Sequence, residues 1–291
     1  MKKILHIGYC LPVFILILFI SCNKEEPIPA YIHIDKFTLT TNYTNEGSNS
    51  HKILDAWIYI DDQPVGAFEM PCTVPVLYQG THTIKVSPGI KENGIAETRI
   101  INTFYERYES SITLNAGQIT TVNPFTKYAL NADFAWLEDF DGAGHTICKS
   151  DGVTPDAVMK DTSGTEVFEG TGSGVVNLTA NGSSYFGETC SQFTSLPIDG
   201  SPVIIEMNYK CNTDFNVGIV GYDQGGNIQA QTIAISLNSK TDWNKIYINL
   251  SNELQDAAGS GAVKFRIFFS MLKDDSLSSS YFFLDNLKLI Y

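Results

Sequence analysis

The chain has 291 residues, of which 43% are hydrophobic and only 18% are charged, and this composition excludes a disordered protein. Its 19 Lys and Arg residues are outnumbered by 32 Asp and Glu residues, so the formal net charge is -13. Nucleic acid is excluded as a partner because binding to phosphate requires clustered Lys and Arg. A chain of this length has room for two domains, each with its own core.

The first 21 residues have the composition of an export signal. Two lysines, Lys2 and Lys3, precede an apolar run that ends at Ile20. The run is too short for a membrane span, which needs about 20 apolar residues. We therefore expect residues 1–21 to be removed as a signal peptide.

The end of this signal contains a short motif, Leu18-Phe19-Ile20-Ser21-Cys22. It resembles the lipobox of bacterial lipoproteins, with Phe19 at a position where Leu is more common. The resemblance implies that Cys22 is diacylated and becomes the mature N-terminus, and more than one acyl chain anchors a protein stably. The alternative is an ordinary secreted protein in which Cys22 has no special role.

The residues after Cys22 indicate where in the cell the protein is expected to be located. The run Asn23-Lys24-Glu25-Glu26 resembles the Lys-acid-acid signal that sends some Gram-negative lipoproteins to the cell surface. It implies a lipid anchor in the outer membrane that faces outward. Residues 22–30, with Pro27 and Pro29, are expected to form a tether.

Four further cysteines remain in the exported chain: Cys72, Cys148, Cys190 and Cys211. An exported compartment permits disulfides, and three of the four lie in the second half, where at most one pair can form. Their spacing does not fit a zinc site. Two alternatives remain for these cysteines: one disulfide bridge, or free thiols that are buried in the core.

From Tyr31 onward the pattern is all-β, with period-two alternation between Gly, Asn, Asp and Ser turns. Predicted strands include 56–60, 65–68 and 81–86, and 111–114 with 119–122 are predicted to form a hairpin. The stretch from Ala56 to Val86 resembles the PEGA-type surface domain, a small β-sandwich of exported bacterial proteins. The resemblance implies a spacer or interaction module over residues 31–128.

A second domain is predicted over residues 129–291. It opens with Glu138-Asp139-Phe140-Asp141-Gly142 and closes with Leu284-Asp285-Asn286-Leu287. These two edges resemble the first and last strands of galactose-binding-like jelly rolls, the fold of many carbohydrate-binding modules. The predicted fold class is therefore a small Ig/PEGA-like β-sandwich followed by a β-jelly-roll sandwich.

Alternation along three strands of the second domain predicts which side chains face outward. A sheet face with aromatic rings, amides and charges suits a sugar, because rings stack on pyranoses and polar groups bond hydroxyls. The candidate carbohydrate-binding residues are Trp243, Tyr247, Asn249, Glu206, Asn208 and Arg266, with Lys245 beside them. The alternatives are that loops cover these aromatics, or that the strands lie in different sheets.

The terminal strands carry carboxylates at positions that share parity with core residues. In a strand with period-two alternation, Glu138 falls on the same face as Trp136 and Phe140. Asp285 likewise falls on the same face as Phe283 and Leu287. An unpaired buried carboxylate is costly, so these acids need a cation or hydrogen-bond donors. Glu138, Asp141 and Asp285 are candidate ligands of a structural calcium ion, whose preferred ligands are oxygens. The alternative is that backbone N–H groups bond each carboxylate.

No nucleophile elbow or phosphate-binding loop is present, and we expect no catalysis. The predicted function is a non-catalytic, lipid-anchored outer-membrane protein at the cell surface that presents a carbohydrate-binding jelly roll. Its expected partners are the membrane and a polysaccharide. The alternative is a structural or protein-interaction subunit of an outer-membrane export, motility or adhesion assembly.

Overall fold

The computed structural model describes residues 26–149, 159–162, 164 and 166–291. The proposed signal peptide, the lipidation site at Cys22 and the first residues of the tether lie outside the described residues. None of the helices in the described part of the chain has the length and apolar character needed to span a bilayer.

Almost all regular structure consists of strands, as the alternating sequence predicts. In chain order the elements are β1 (Ala30–Ile34), β2 (Thr38–Leu39), α1 (Tyr43–Glu46), β3 (Asp55–Ile60), β4 (Gln63–Glu69), β5 (Cys72–Val76), β6 (Gly80–Lys91), β7 (Arg99–Ile101), β8 (Tyr108–Leu114), β9 (Ile119–Thr121), β10 (Phe125–Thr126), β11 (Phe134–Glu138), β12 (Ile147–Lys149), β13 (Met159–Asp161), β14 (Ser173–Leu178), β15 (Ser184–Thr189), β16 (Ile204–Cys211), β17 (Phe215–Tyr222), β18 (Ile228–Leu237), β19 (Lys240–Asn249), α2 (Ser251–Gly259), β20 (Lys264–Leu272) and β21 (Ser280–Ile290).

Strands β1 to β10 pair only with one another. One sheet has the order β4-β3-β6-β7, with β8 also on β6; a second has the order β5-β1-β9; and β2 pairs with β10. Residues at alternate positions, such as Ile32, Ile58 and Ile84, fill the core between these sheets. Residues 26–128 are therefore a small all-β unit, which we call the first domain.

The predicted hairpin of 111–114 with 119–122 is wrong. Strand β8 pairs antiparallel with β6, whereas β9 pairs parallel with β1 in a different sheet. Between them, Gly117 takes a φ of +73° and donates its N–H to Pro29 O at 2.8 Å. Because this contact holds the connection beside the start of β1, the chain crosses to the other sheet instead of folding back.

Strands β11 to β21 form a jelly roll of two packed sheets, which we call the second domain. The inner sheet has the order β13-β14-β21-β16-β19, with β11 on β21, and the outer sheet has the order β12-β15-β20-β17-β18. Consecutive strands switch repeatedly between the sheets, which is the connectivity of this fold. Rings such as Phe215 and Phe282, stacked 4.6 Å apart, fill the space between the sheets.

A bulge in β21 changes the predicted alternation. Asn286 has a φ of +48°, and the pairing with β16 shifts its register at this point. Phe282 and Leu284 face the core before the bulge and Leu287 and Leu289 face it after the bulge, so Asp285 and Phe283 do not belong to the core set. Asp285 is instead buried on the opposite face of the inner sheet.

The first domain covers this opposite face. Ile204, Tyr247 and Ile290 of the inner sheet pack into the apolar core of the first domain. Asn93 of the first domain donates its N–H to Tyr247 O at 2.8 Å. The layers therefore follow in the order first domain, inner sheet, jelly-roll core, outer sheet.

Candidate functional site

Most of the residues expected to form an open carbohydrate-binding face lie between the two domains. The exposed fraction is 0% for Glu206, 2% for Asn208 and 2% for Tyr247, and Lys245 is also buried. A ligand in solvent cannot reach these side chains. Alternation along β16 and β19 places these side chains on the face directed away from the jelly-roll core, as observed. The first domain covers that face.

A dense set of hydrogen bonds explains the polar character of this face. Glu206 accepts from Tyr105 OH at 3.0 Å and from Tyr128 OH at 2.9 Å, and its Oε2 lies 3.6 Å from Lys245 Nζ. Ser50 Oγ donates to Asn208 Oδ1 at 3.0 Å. A buried carboxylate needs such partners. The residue types that suit a sugar here bind another part of the same chain.

Asn249 lies at the edge of the same interface, whereas Trp243 contacts other residues of the second domain. Asn249 donates its side-chain N–H to Glu92 Oε1 at 2.7 Å, which holds it against the first domain. The Trp243 ring lies 5.3 Å from the Phe168 ring, centroid to centroid. Both residues are half-buried, and neither lies in the sheet that carries Arg266.

Arg266 lies on the outer face of the outer sheet, on β20. There it lines an open groove of about 580 Å³, whose other lining residues are Phe186, Glu188, Gln192, Tyr222, Gly226, Ile228 and Gln231. The first domain packs on the other sheet, so this groove faces away from it. Of the six candidate ligand-binding residues, Arg266 is the one that the structure places in this groove.

A fixed polar triad forms one part of the groove. Tyr222 OH donates to Glu188 Oε2 at 2.6 Å, and Arg266 donates an N–H to the same oxygen at 3.3 Å. The Arg266 guanidinium also lies 5.7 Å from the centroid of the Tyr222 ring. Burial and the bond to Glu188 raise the pKa of Tyr222, so its hydroxyl keeps its proton and remains a donor. The three groups hold one another in place.

Stacked aromatic rings form the next part. Phe186 and Phe268 are 5.0 Å apart at an interplanar angle of 20°, with Phe268 beneath and Phe186 partly exposed. Gly218 makes room for this arrangement, because a Cβ there would come within 2.6 Å of the Phe268 ring. The missing side chain of Gly218 therefore leaves room for the Phe268 ring, on which Phe186 of the groove stacks.

Chemically, the groove offers an apolar ring and several hydrogen-bonding groups to the same ligand. Phe186 provides a partly exposed flat surface, Ile228 is 57% exposed, and Gln192 and Gln231 provide amides. Aromatic and polar groups combined in a concave site are typical of binding sites for small polar molecules.

The sequence contained part of this site. Alternation along residues 263–271 predicts that Lys264, Arg266 and Phe268 face outward, and Phe265, Ile267 and Phe269 are buried in the core as expected, whereas Val263 is exposed. The same alternation along β17 would have placed Gly218 and Tyr222 on the outer face. Which strands lie beside each other could not be read from the pattern.

The three candidate calcium ligands are held by protein donors. Glu138 accepts from Phe140 N at 2.8 Å and Thr146 N at 2.6 Å, and Asp285 accepts from Ser173 Oγ at 2.5 Å and Asn286 N at 2.7 Å. Asp141 accepts from Thr171 Oγ1 at 3.0 Å.

Within residues 26–149, 159–162, 164 and 166–291, no three His, Cys, Asp or Glu side chains are grouped so that they could hold a metal ion. The alternative of carboxylates bonded by N–H groups fits Glu138 and Asp285. Calcium binding stays a prediction: a melting temperature lowered by EDTA would support it, and an unchanged one would overturn it.

No family model matches the sequence, and no curated protein matches it. Among solved structures, the chain is similar to a carbohydrate-binding module of the β-sandwich superfamily, with 13% identity, a TM-score of 0.39, and coverage of 81% of this chain and 85% of the other. It is also similar to the CBM22-1 xylan-binding domain from Paenibacillus barcinonensis (15% identity, TM-score 0.35, 55% and 96% covered) and to the K2 cleaved adhesin domain of Lys-gingipain (14%, 0.35, 55% and 98%). These likenesses concern the β-sandwich fold and leave the ligand to be inferred from the site.

Proposed function

We propose that the protein binds carbohydrate in the groove on its outer sheet. The observation that carries the proposal is the combination, in one open groove, of the partly exposed Phe186 ring with the amide groups of Gln192 and Gln231 and the donors of Arg266. A pyranose ring presents an apolar face edged by hydroxyls, and this groove offers a partner for each part.

The groove is proposed to bind without catalysis. Glycoside hydrolysis uses two carboxyl groups on either side of the bond that is cleaved. Among the described residues that line the groove, Glu188 is the single carboxylate, and it already accepts bonds from Tyr222 and Arg266. This arrangement supports a binding role.

Isothermal titration against a panel of soluble polysaccharides tests the proposal. We expect one or more glycans to bind, and Phe186→Ala to weaken binding roughly tenfold, as expected when a central aromatic contact is removed. Phe125→Ala is the matched control, because Phe125 is 63% exposed on the first domain, far in sequence from the groove. Absence of binding across the panel, or equal loss in both variants, would overturn the proposal.

We further propose that Cys22 is lipidated and anchors the protein in the outer membrane, with the first domain acting as a PEGA-like spacer. The lipobox-like run Leu18 to Cys22 supports the anchor, and Lys24, Glu25 and Glu26 support display at the surface. Labelling with radioactive palmitate should mark the wild-type chain, and Cys22→Ser should abolish the label. Protease added to intact cells should degrade the protein, and survival until the cells are permeabilised would overturn surface display.

A further inference from the structure

Three large apolar side chains are exposed at one end of the first domain. The exposed fraction is 63% for Ile28, 67% for Leu77 and 66% for Ile119. We call this region the apolar tip, defined by residues 27–29, 77–80 and 115–119. Exposed apolar groups that cluster at one place mark an interaction site more often than scattered ones do.

Strand pairing brings the three segments together. Ala30 pairs with Val76, so Pro29 and Leu77 continue side by side beyond the end of the sheet. On the other side of β1, Tyr31 pairs with Ile119. The Ile28 Cγ2 atom lies 3.7 Å from the position that a Cβ on Gly117 would take. Segment 27–29 is therefore in contact with segment 115–119.

The tip is also free of charge, although the chain is strongly acidic. Segments 27–29, 77–80 and 115–119 contain no Asp, Glu, Lys or Arg, whereas the whole chain has a net charge of -13. Glu26 precedes the tip in sequence. His82 and Asp61 lie beside it and bond each other at 2.6 Å, with His82 also held by Gln79 O. An uncharged apolar patch is the part of such a surface that an anionic lipid layer repels least.

The length of chain between the tip and the proposed anchor limits how far the tip can lie from a membrane. Ile28 is six residues after Cys22. A fully extended chain covers at most about 3.6 Å per residue, so the Cα atoms of these residues are no more than about 22 Å apart. A lipid on Cys22 would therefore keep Ile28 within about 22 Å of the anchor, close enough for the tip to reach the bilayer surface.

We propose that the apolar tip inserts among the lipid headgroups of the membrane in which Cys22 is anchored. This inference rests on the proposed lipidation of Cys22. Apolar side chains at the depth of the headgroups gain from leaving water while the backbone remains hydrated. Strand β6 begins at Gly80 in the tip and ends at Lys91, two residues before Asn93, which bonds the second domain. The tip and the second domain therefore lie at opposite ends of this strand, and the groove on the outer sheet is directed away from the bilayer.

The experiment uses the full lipidated protein reconstituted into vesicles of phosphatidylethanolamine and phosphatidylglycerol. A polarity-sensitive dye is attached through Leu77→Cys, or through Leu272→Cys as the control, since both positions are 67% exposed. Both variants carry Cys72→Ser, because Cys72 is the partly exposed free thiol and Cys211 is buried. Vesicle flotation is measured in parallel.

We expect the dye at position 77 to shift to shorter wavelength in vesicles and to be quenched by nitroxide-labelled lipids, and the dye at position 272 to do neither. Protein that floats with the vesicles while both dyes remain water-like would overturn the tip proposal and leave the anchor standing. Protein that does not float would overturn the anchor and the tip together. A shift at position 77 without quenching by lipid would show that a second copy of this chain, and not the bilayer, covers the tip, and would also overturn the proposal.

Discussion

The hydroxyl of Tyr128, at the end of the first domain, donates a 2.9 Å hydrogen bond to Oε2 of Glu206 on the inner sheet of the second. Lys288 Nζ donates to the same Tyr128 hydroxyl at 3.0 Å. A buried carboxylate and a buried ammonium thus share one tyrosine across the interface. Both charges are removed from water, so separating the two domains would break the bonds that stabilise each buried charge. We infer that the two domains move as one body.

Replacing Glu206 tests this interface. Glu206→Ala leaves Lys245 and Lys288 buried without their carboxylate, and we expect a loss of about 3–5 kcal/mol in the free energy of unfolding. Tyr105 and Tyr128 donate to different oxygens of Glu206. Glu206→Gln keeps one of these two acceptors and a side chain of the same size, so it should cost less than Glu206→Ala. Guanidinium denaturation measures both variants. Glu97→Ala, at an exposed acid, is the control, and an equal effect there would contradict the prediction.

Asp285 should make stability depend on pH. Burial raises its pKa from the usual 3.8 to about 7, despite the bonds from Ser173 and Asn286. The folded protein therefore binds more protons than the unfolded chain between about pH 4 and 7, and stability should fall as pH rises through this window, by at most about 1.4 kcal/mol per pH unit. Asp285→Asn should remove this slope in urea denaturation. Asp256→Asn, at an exposed helix position, should leave it in place, and a slope that persists in Asp285→Asn would contradict the prediction.

The all-β class and the core sets of β16 and β19 could be predicted from the sequence because they depend on local alternation. Ile205, Met207, Ile246 and Ile248 are buried as expected. Asp285 was misassigned because a bulge adds one residue to the period, and nothing in the alternation marks Asn286 as its position.

The location of the binding site could be predicted only in part. Alternation distinguishes the two faces of a strand, but it does not identify what covers each face. Tyr247 and Glu206 lie on an outward face that the first domain buries, whereas Arg266 lies on an outward face that stays open. That difference depends on contacts between residues far apart in sequence, such as Tyr128 with Glu206.

A substitution at Gly218 tests the packing of Phe268 beneath Phe186 in the groove. In Gly218→Ala the new methyl group would meet Phe268 and the Thr232 carbonyl oxygen, at 2.5 Å and 2.2 Å. We expect a loss of roughly 1–3 kcal/mol from overpacking, together with weaker binding of any glycan that binds the wild type. Gly259→Ala is the control because no atom lies within 4 Å of its added methyl group at the end of α2, so its stability should be unchanged or higher. Equal melting temperatures for the two variants would contradict the prediction.

The disulfide between Cys148 and Cys190 joins the edge strand β12 to the end of β15, and we predict that it supports the groove as well as the fold. Glu188 and Gln192, which line the groove, stand two residues to either side of Cys190. The bond closes a loop with a sequence separation of 42, for which chain entropy predicts a stabilisation of about 4 kcal/mol.

We therefore expect Cys148→Ser/Cys190→Ser, or treatment of the wild type with a phosphine reductant, to lower the melting temperature and to weaken glycan binding in titrations below the new melting point. Cys72→Ser removes a free thiol and should change neither property. Binding that is unaffected in a folded, reduced protein would show that the strand ends hold Glu188 and Gln192 without the bridge.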